Sequence, residues 1–207
     1  MMEKFVITVG RQFGSMGRPI AKNLAEKLGI NYFDRDIVEE VAKRMNLPLS
    51  VVSKEEEAAT SKFGKFGKML FPLGKDTSEL QDKIFEVQRC VIMDFIDKGS
   101  CILVGRCADY IARDCANLLR IYIYAPFEER VKNCIQFLNM QENDALKMCR
   151  DVDRARSAYH KLYAGYDCMS AEVMDFMINS STLGIDGTVS ALELLVKQRF
   201  KDVLINS

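Results

Sequence analysis

The chain has 207 residues and is 48% hydrophobic, which is enough apolar material for the core of one large domain and too much for a disordered chain. Basic and acidic residues balance at 29 each, so the formal net charge is zero. A dedicated nucleic-acid binder usually carries a basic surplus, so we expect no nucleic acid among the partners.

The seven cysteines predict free thiols rather than disulfides, because their number is odd and no two of them form a CxxC pair. The chain begins at Met1 without a long apolar signal region. No run approaches the roughly 18 apolar residues of a membrane helix. We therefore expect a cytoplasmic protein with no membrane partner, while the sequence leaves the oligomeric state open.

The first part of the chain predicts two strand–helix units. Residues 5–9 are apolar and β-branched, as in a buried parallel strand. Apolar residues then recur every four positions over 20–28, which is typical of an amphipathic helix. Residues 31–34 predict a second short strand, and residues 37–45 predict the next helix.

The middle of the chain differs in character. Residues 53–78 are rich in charge, glycine and lysine and show no periodicity, so we expect a mobile excursion there. Helical spacing returns over 79–98. Beyond it, the pattern predicts strands at 101–104, 118–125 and 176–179 and helices at 127–138, 142–164 and 189–200.

Strands that alternate with helices predict an α/β fold with a parallel sheet flanked by helices. Ligands of such sheets bind beyond the carboxyl ends of the strands. Four residues mark those ends in this chain, namely Gly10, Gly105, Pro126 and Asn179.

The segment from Gly10 to Arg18, GRQFGSMGR, lies between a buried strand and an amphipathic helix. Glycines there allow several backbone N–H groups to converge on one anion, and the helix N-terminus adds its positive dipole end. A plain glycine turn is the alternative interpretation. The residues that we predict to bind phosphate are Gly10, Arg11, Gly14, Ser15, Met16, Gly17 and Arg18.

The segment departs from the standard phosphate loop, GxxxxGK[ST], in which lysine reaches the β- and γ-phosphates and the hydroxyl binds magnesium. Gly17 stands at the lysine position and Pro19 near the hydroxyl position, so the Walker A loop is degenerate. Arg18 or Arg11 is a candidate to replace the lysine. Ser15 is a candidate for the lost hydroxyl, and the magnesium ligands stay unknown.

Three segments resemble the cytidylate kinase-like family. Residues 7–34 read ITVGRQFGSMGRPIAKNLAEKLGINYFD, and residues 100–112 read SCILVGRCADYIA. Residues 178–186, INSSTLGID, resemble the closing strand and turn of cytidylate kinases. The resemblance runs from about Phe5 to the last helix and is weakest in the middle insertion.

The resemblance implies the fold of P-loop nucleoside monophosphate kinases as a single domain over residues 1–207. It implies a helical monophosphate-binding excursion at about 46–98 and an arginine-bearing lid at about 140–168. It also implies transfer of a phosphoryl group from ATP, with Mg²⁺, to a small nucleotide such as CMP or dCMP. The resemblance also implies that the cytidylate kinase-like family shares the loss of the loop lysine.

The resemblance assigns further residues to the substrate. Arg106 matches the arginine that holds the monophosphate in cytidylate kinases, while Cys107 replaces the aspartate that follows it there. Asp109 is predicted to bind substrate as well. Asp34 matches a substrate-site position, and a helix N-cap is its equally plausible alternative. For Cys107 we expect a buried packing thiol.

An arginine cluster in the polar helix resembles the lid of cytidylate kinases. Arg154 and Arg156, with Arg18 from the loop, are the predicted catalytic residues, and Arg150 is predicted to bind substrate. A solvated helix with internal ion pairs is the alternative. The single histidine, His160, is expected to be a surface or capping residue and argues against a structural zinc site.

Two other functions remain open from the residues. A non-catalytic nucleotide sensor fits the missing lysine, because binding can persist when only the backbone cradle remains. A kinase for a non-nucleotide acceptor fits the loss of the aspartate at Cys107.

Overall fold

The computed structural model describes residues 4–52, 76–201 and 203. Its five strands are β1 (Val6–Arg11), β2 (Asn31–Phe33), β3 (Cys101–Val104), β4 (Leu118–Tyr124) and β5 (Phe176–Asn179). They form one parallel sheet in the order β2-β3-β1-β4-β5. The predicted α/β class and the positions of all five strands are therefore confirmed.

Among the described residues, seven helices with complete bounds connect and flank the strands. They are α1 (Gly17–Leu28), α2 (Arg35–Met45), α3 (Asp76–Asp97), α4 (Ala108–Ile111), α5 (Phe127–Leu138), α6 (Glu142–Ala164) and α7 (Ser180–Arg199). The last helix begins nine residues before the predicted start at 189, because it follows β5 directly and bends at Gly184. The mobile excursion predicted at 53–78 lies, as far as residue 75, outside the described residues.

Two apolar layers cover the two faces of the sheet. One layer packs α1 and α7 against the side chains of Ile7, Val9 and Ile121. The other packs α2 and α3 against the opposite face of β1 and β3. Because β1 is covered on both faces, its sequence is almost continuously apolar, and its carboxyl end is fixed at the centre of the sheet.

The carboxyl end of β1 passes directly into the segment that leads to α1. Neighbouring β3 and β4 end at the same edge, with Gly105 and Ala125 just beyond them. Helix α6, the predicted arginine-rich helix, covers this edge and contacts the loop after β1. Within the described residues, no helix is long and apolar enough to cross a membrane.

Candidate active site

The segment between β1 and α1 forms a tight loop at the centre of this edge. Gly14 has φ +76°, and a Cβ there would lie 2.6 Å from the carbonyl oxygen of Arg130, so only glycine fits. The first helical turn leaves the N–H groups of Met16, Gly17 and Arg18 without intrahelical acceptors. Pro19 has no N–H, so these three are the donors that the turn offers to an anion.

Side chains from three other helices hold the loop in shape. Arg130 of α5 donates to the carbonyl of Phe13 at 3.2 Å, and Asp153 of α6 accepts the N–H of Phe13 at 2.7 Å. Asn133 donates to the carbonyl of Gly14 at 2.9 Å. Ser180, at the start of α7, donates to the carbonyl of Ser15 at 2.7 Å. The loop conformation is therefore set by tertiary contacts as well as by its glycines.

Ser15 contributes to this loop in a different way from the one expected. Its side chain is fully buried, and its hydroxyl faces the carbonyl oxygens of Gln12 at 2.9 Å and Ile123 at 3.1 Å. The hydroxyl thus ties the loop to β4 instead of facing a nucleotide, which removes its expected role as a phosphate donor or replacement magnesium ligand.

Asp34, just beyond the end of β2, contacts two arginines of the loop. Its carboxylate accepts from Nε of Arg18 at 2.7 Å and lies 3.8 Å from Nη2 of Arg11. Asp34 occupies the N-cap position of α2, yet its side chain makes no capping hydrogen bond there. The N-cap alternative is therefore wrong for the side chain, and the carboxylate instead orients Arg18 and Arg11.

A cavity opens where β1 and β3 end, beneath α6. Its wall carries three arginines, Arg11, Arg106 and Arg156, together with Gly10 and Asp109. Five predicted site residues from three separate segments are thus brought together. The side chain of Arg156 also donates to the carbonyl of Arg11 at 3.1 Å, which ties α6 to the loop.

The turn after β3 shapes one wall of the cavity. Gly105, Arg106 and Cys107 all have positive φ, at +72°, +60° and +51°. Such a run is uncommon for non-glycine residues, and a buried Gln88 donates to the carbonyl of Arg106 at 3.0 Å to support it. Cys107 is 3% exposed, as expected of a packing thiol, and its residue also lines the cavity.

His160 lies in the cavity wall, so the expected surface or capping role is wrong. It is 5% exposed, and its Nε2 lies 2.9 and 3.0 Å from the two carboxylate oxygens of Asp109. Its Nδ1 lies 3.0 Å from the carbonyl of Tyr166, whose hydroxyl donates to Asp109 at 2.8 Å. Both ring nitrogens face acceptors, which favours the doubly protonated imidazolium.

The charges of this pair stabilise each other. Burial alone would lower the pKa of His160, but the hydrogen bond and charge of Asp109 outweigh it and raise that pKa above its ordinary value. Burial would likewise raise the pKa of Asp109, yet His160 and Tyr166 hold that pKa below its ordinary value. The cavity therefore contains an ion pair as well as three arginines.

The remaining arginines of the predicted lid lie elsewhere. Arg150 and Arg154 are exposed on α6 and do not belong to the cavity wall. The guanidinium of Arg150 lies 5.1 Å from the ring centroid of Phe127. Of the arginine cluster, the structure brings only Arg156 to the cavity, because the helical turn directs the other two away.

Sequence reasoning missed Arg130, Asp153 and His160. A signal was present for each. Arg130 falls on the apolar stripe of α5, between Phe127 and Cys134, where an exposed arginine is not expected. Asp153 and His160 are seven residues apart on α6 and so share the face that carries Arg156.

The described residues lack a cluster of metal-ligating side chains. They contain no group of three or more histidine, cysteine, aspartate and glutamate side chains placed to hold a metal ion. Asp34 is engaged by arginines and the Ser15 hydroxyl faces carbonyl oxygens. Mg²⁺ often takes most of its ligands from substrate phosphates and water, so it does not require such a cluster.

The sheet order, the loop before α1 and the arginine-lined cavity define a protein with the P-loop kinase fold. A family model described as the cytidylate kinase-like family matches residues 6–182. The chain therefore belongs to the cytidylate kinase-like family and is a small-molecule kinase by that membership. The resemblance noted in the sequence is confirmed.

Known proteins are similar to the chain in sequence or in fold. A protein named cytidylate kinase from Sulfolobus acidocaldarius is 24% identical over 171 residues, which cover 82% of each chain. An uncharacterised protein of Eubacterium ventriosum superposes with a TM-score of 0.70 at 22% identity, covering 94% of this chain and 99% of that one. Shikimate kinase of Bacteroides thetaiotaomicron gives 0.53 at 11% identity, covering 94% and 99%. The solved structures show the shared fold.

Proposed function

We infer that the chain transfers the γ-phosphoryl group of ATP to a small acceptor that carries a phosphate group, with CMP and dCMP as the first acceptors to test. The observation that carries this proposal is the cavity beside the phosphate loop, in which Arg11, Arg106 and Arg156 converge. Three cations at the carboxyl edge of a parallel sheet suit an anionic ligand. Family membership supplies ATP as the expected donor.

The phosphate chain of ATP would lie on the loop. The N–H groups of Met16, Gly17 and Arg18 point out of the first turn of α1, where the helix dipole favours negative charge. Gly10, Gly14 and the backbone of Ser15 shape this cradle. Arg18 would add a cation at the loop, in an orientation fixed by Asp34.

The acceptor would occupy the cavity, with its phosphate on Arg106 and Arg156 and its polar groups near Asp109. An ionised phosphate oxygen is already a nucleophile, so no protein base is required. In the transfer, that oxygen forms a bond to the γ-phosphorus, and the bond from the γ-phosphorus to the β,γ-bridging oxygen breaks to release ADP. Catalysis then consists of positioning and of charge stabilisation.

The lost lysine would be compensated by arginines from two segments. Arg11 is 8% exposed, lies against Gly105 and reaches the cavity from the loop side. Arg156 reaches it from α6, the proposed lid. Arg150 and Arg154 would join the transferred group only if the lid turns towards the loop, so their roles remain predictions.

The test is ADP formation from MgATP with a panel of nucleoside monophosphates that includes CMP and dCMP. Turnover with an acceptor that Arg106→Ala abolishes supports the proposal. Absence of turnover across the panel with ATP still bound would favour the nucleotide sensor, or a kinase for a non-nucleotide acceptor. Absence of ATP binding would contradict the donor site itself.

A further inference from the structure

A partly buried ion pair outside the cavity holds one residue of the phosphate loop from both sides. The N–H of Phe13 donates to Oδ1 of Asp153 at 2.7 Å, and the carbonyl of Phe13 accepts from Nη1 of Arg130 at 3.2 Å. The same Nη1 lies 2.5 Å from Oδ2 of Asp153. Both polar main-chain groups of one loop residue are therefore satisfied by two side chains that also bind each other.

Arg130 is fixed by more than this pair. Its Nε donates to the carbonyl of Ala125 at 3.2 Å, just beyond the end of β4, and its side chain is 8% exposed. Asp153 belongs to α6 rather than to α5. The ion pair thus joins three parts of the fold: the sheet edge with α5, the loop and α6.

The same face of α6 reaches the cavity. Arg156 follows Asp153 by three residues, which places both on one side of the helix. Its Nη1 donates to the carbonyl of Arg11 at 3.1 Å, and it lines the cavity. A shift of Asp153 relative to the N–H of Phe13 would therefore also move Arg156 relative to the cavity.

Charge explains why an acidic side chain can lie beside a loop that binds phosphate. An unpaired carboxylate there would repel a phosphate chain, whereas Arg130 neutralises Asp153. The N–H of Phe13 is used by the carboxylate, and the donors of the first turn of α1 remain available for the anion.

We propose that Asp153 and Arg130 are positioning residues that couple the phosphate loop to α6, so that binding of a phosphate chain and the seating of Arg156 in the cavity stabilise each other. The coupling is reciprocal. If a phosphate chain on the loop favours the position of α6 that brings Arg156 into the cavity, then a cavity ligand that binds Arg156 must strengthen binding of the phosphate chain by the same factor. This inference rests on the proposed function only in taking the loop as the site of the phosphate chain.

Hydrogen exchange measures the coupling without any turnover. We expect ATP to slow hydrogen exchange in two peptides, one covering 12–18 and one covering 149–156. Both should become protected at the same half-saturating concentration of ATP. In Asp153→Asn that concentration rises by about tenfold or more, the equivalent of one charged hydrogen bond, and protection of 149–156 no longer follows that of 12–18. Asp151→Asn, on the opposite face of α6, is the matched control and is expected to match the unaltered protein.

A pair of variants separates positioning from simple support of the fold. Arg130→Met leaves the carboxylate of Asp153 beside the phosphate chain, so ATP affinity falls by more than in Asp153→Asn. Adding Asp153→Asn to Arg130→Met removes that charge and restores part of the affinity. If the pair only supported the fold, the three variants would differ in their free energy of unfolding while their folded forms bound ATP equally well.

The outcomes are distinct. Equal ATP affinity in Asp153→Asn and Asp151→Asn, or protection of the loop by ATP with no change in 149–156 of the unaltered protein, would overturn the coupling. The second result can be read even if the variants do not fold, since it needs only the native chain. If ATP slows exchange in neither peptide, the proposal that the loop binds ATP is wrong. The contact of Asp153 with the loop is then tested without nucleotide, where Asp153→Asn must speed exchange of the Phe13 amide by about tenfold or more.

Discussion

His160 and Asp109 form a buried ion pair across the cavity, with Nε2 within 3.0 Å of both carboxylate oxygens. The two residues are 51 positions apart and come from α6 and α4. Their side chains are only 6% and 13% exposed, so water screens the interaction weakly. The pair therefore links the proposed lid to the turn after β3 by a contact that depends on protonation.

The pair predicts a pH-dependent stability. The pKa of His160 is raised in the folded chain, so its contribution is complete below the unfolded value of about 6.5 and is lost as the pH rises through the folded value. The pKa of Asp109 is lowered, so its contribution is complete above about 3.9 and is lost as the pH falls through the folded value. The window of full contribution is about pH 4 to 6.5.

Thermal melts from pH 5 to 8.5 check this prediction. At pH 6, Asp109→Asn should cost about 3 kcal/mol, because it leaves a buried imidazolium without its carboxylate. The difference from the unaltered protein should shrink as the pH rises above 6.5. The nearby Asp167 also raises the pKa of His160, so Asp167→Asn is a useful comparison with a smaller effect. A pH-independent difference for Asp109→Asn would contradict the ion pair.

The sequence predicted most strands and helices correctly, because each of them is marked by a pattern of apolar and polar residues within its own length. The apolar runs of β1, β3 and β4 and the polar span of α6 were each visible within a few residues. The start of α7 was placed too late, because the apolar spacing that marks a helix begins only after the bend at Gly184.

The site was predicted less completely because its contacts are distant in sequence. Gly10 and Arg106 lie at or just beyond the ends of two parallel strands, so their approach to one edge follows from a parallel sheet. The partners of His160 and Asp153, by contrast, depend on how α6 packs over that edge. Periodicity places a residue on a helix face but does not say which charge will meet it.

Arg156 and Arg154 give a direct test of the cavity. Since Arg156 lines the cavity and Arg154 is exposed outside it, Arg156→Ala should lower kcat by about 100-fold, the usual loss for one stabilising donor. Arg154→Ala should lower it less. The measurement is steady-state ADP formation with the best acceptor from the panel. A larger loss for Arg154→Ala would show that it, rather than Arg156, reaches the transferred group.

Asp34 offers a test of how the loop arginines are held. Asp34→Asn removes the charge that holds Arg18 and attracts Arg11, so we expect a loss of about 1–3 kcal/mol in the free energy of unfolding and weaker ATP binding. Asp36→Asn, two residues later and exposed, is the control and should cost less than about 1 kcal/mol. Urea unfolding and ATP titration measure the two effects. Equal behaviour of the two variants would mean that Asp34 does not orient the arginines.

Gly105 tests the approach of Arg11 to the cavity wall. A Cβ on Gly105 would collide with Nη1 of Arg11, whereas a Cβ on Gly29 meets nothing within 4 Å. Both glycines have similar φ, +72° and +64°, so Gly105→Ala and Gly29→Ala should share a backbone cost of about 1–2 kcal/mol.

Only Gly105→Ala should also displace the guanidinium of Arg11 from the cavity. Because displacing Arg11 also weakens its contact with Asp34, we expect a larger thermal shift for Gly105→Ala than for Gly29→Ala, and a fall of about tenfold in ATP or acceptor affinity for Gly105→Ala alone. Thermal melts and equilibrium titration of each variant separate the two contributions. If Gly105→Ala binds both ligands as tightly as Gly29→Ala, Arg11 does not act in the cavity, and the replacement for the loop lysine must be sought in Arg18 or Arg156.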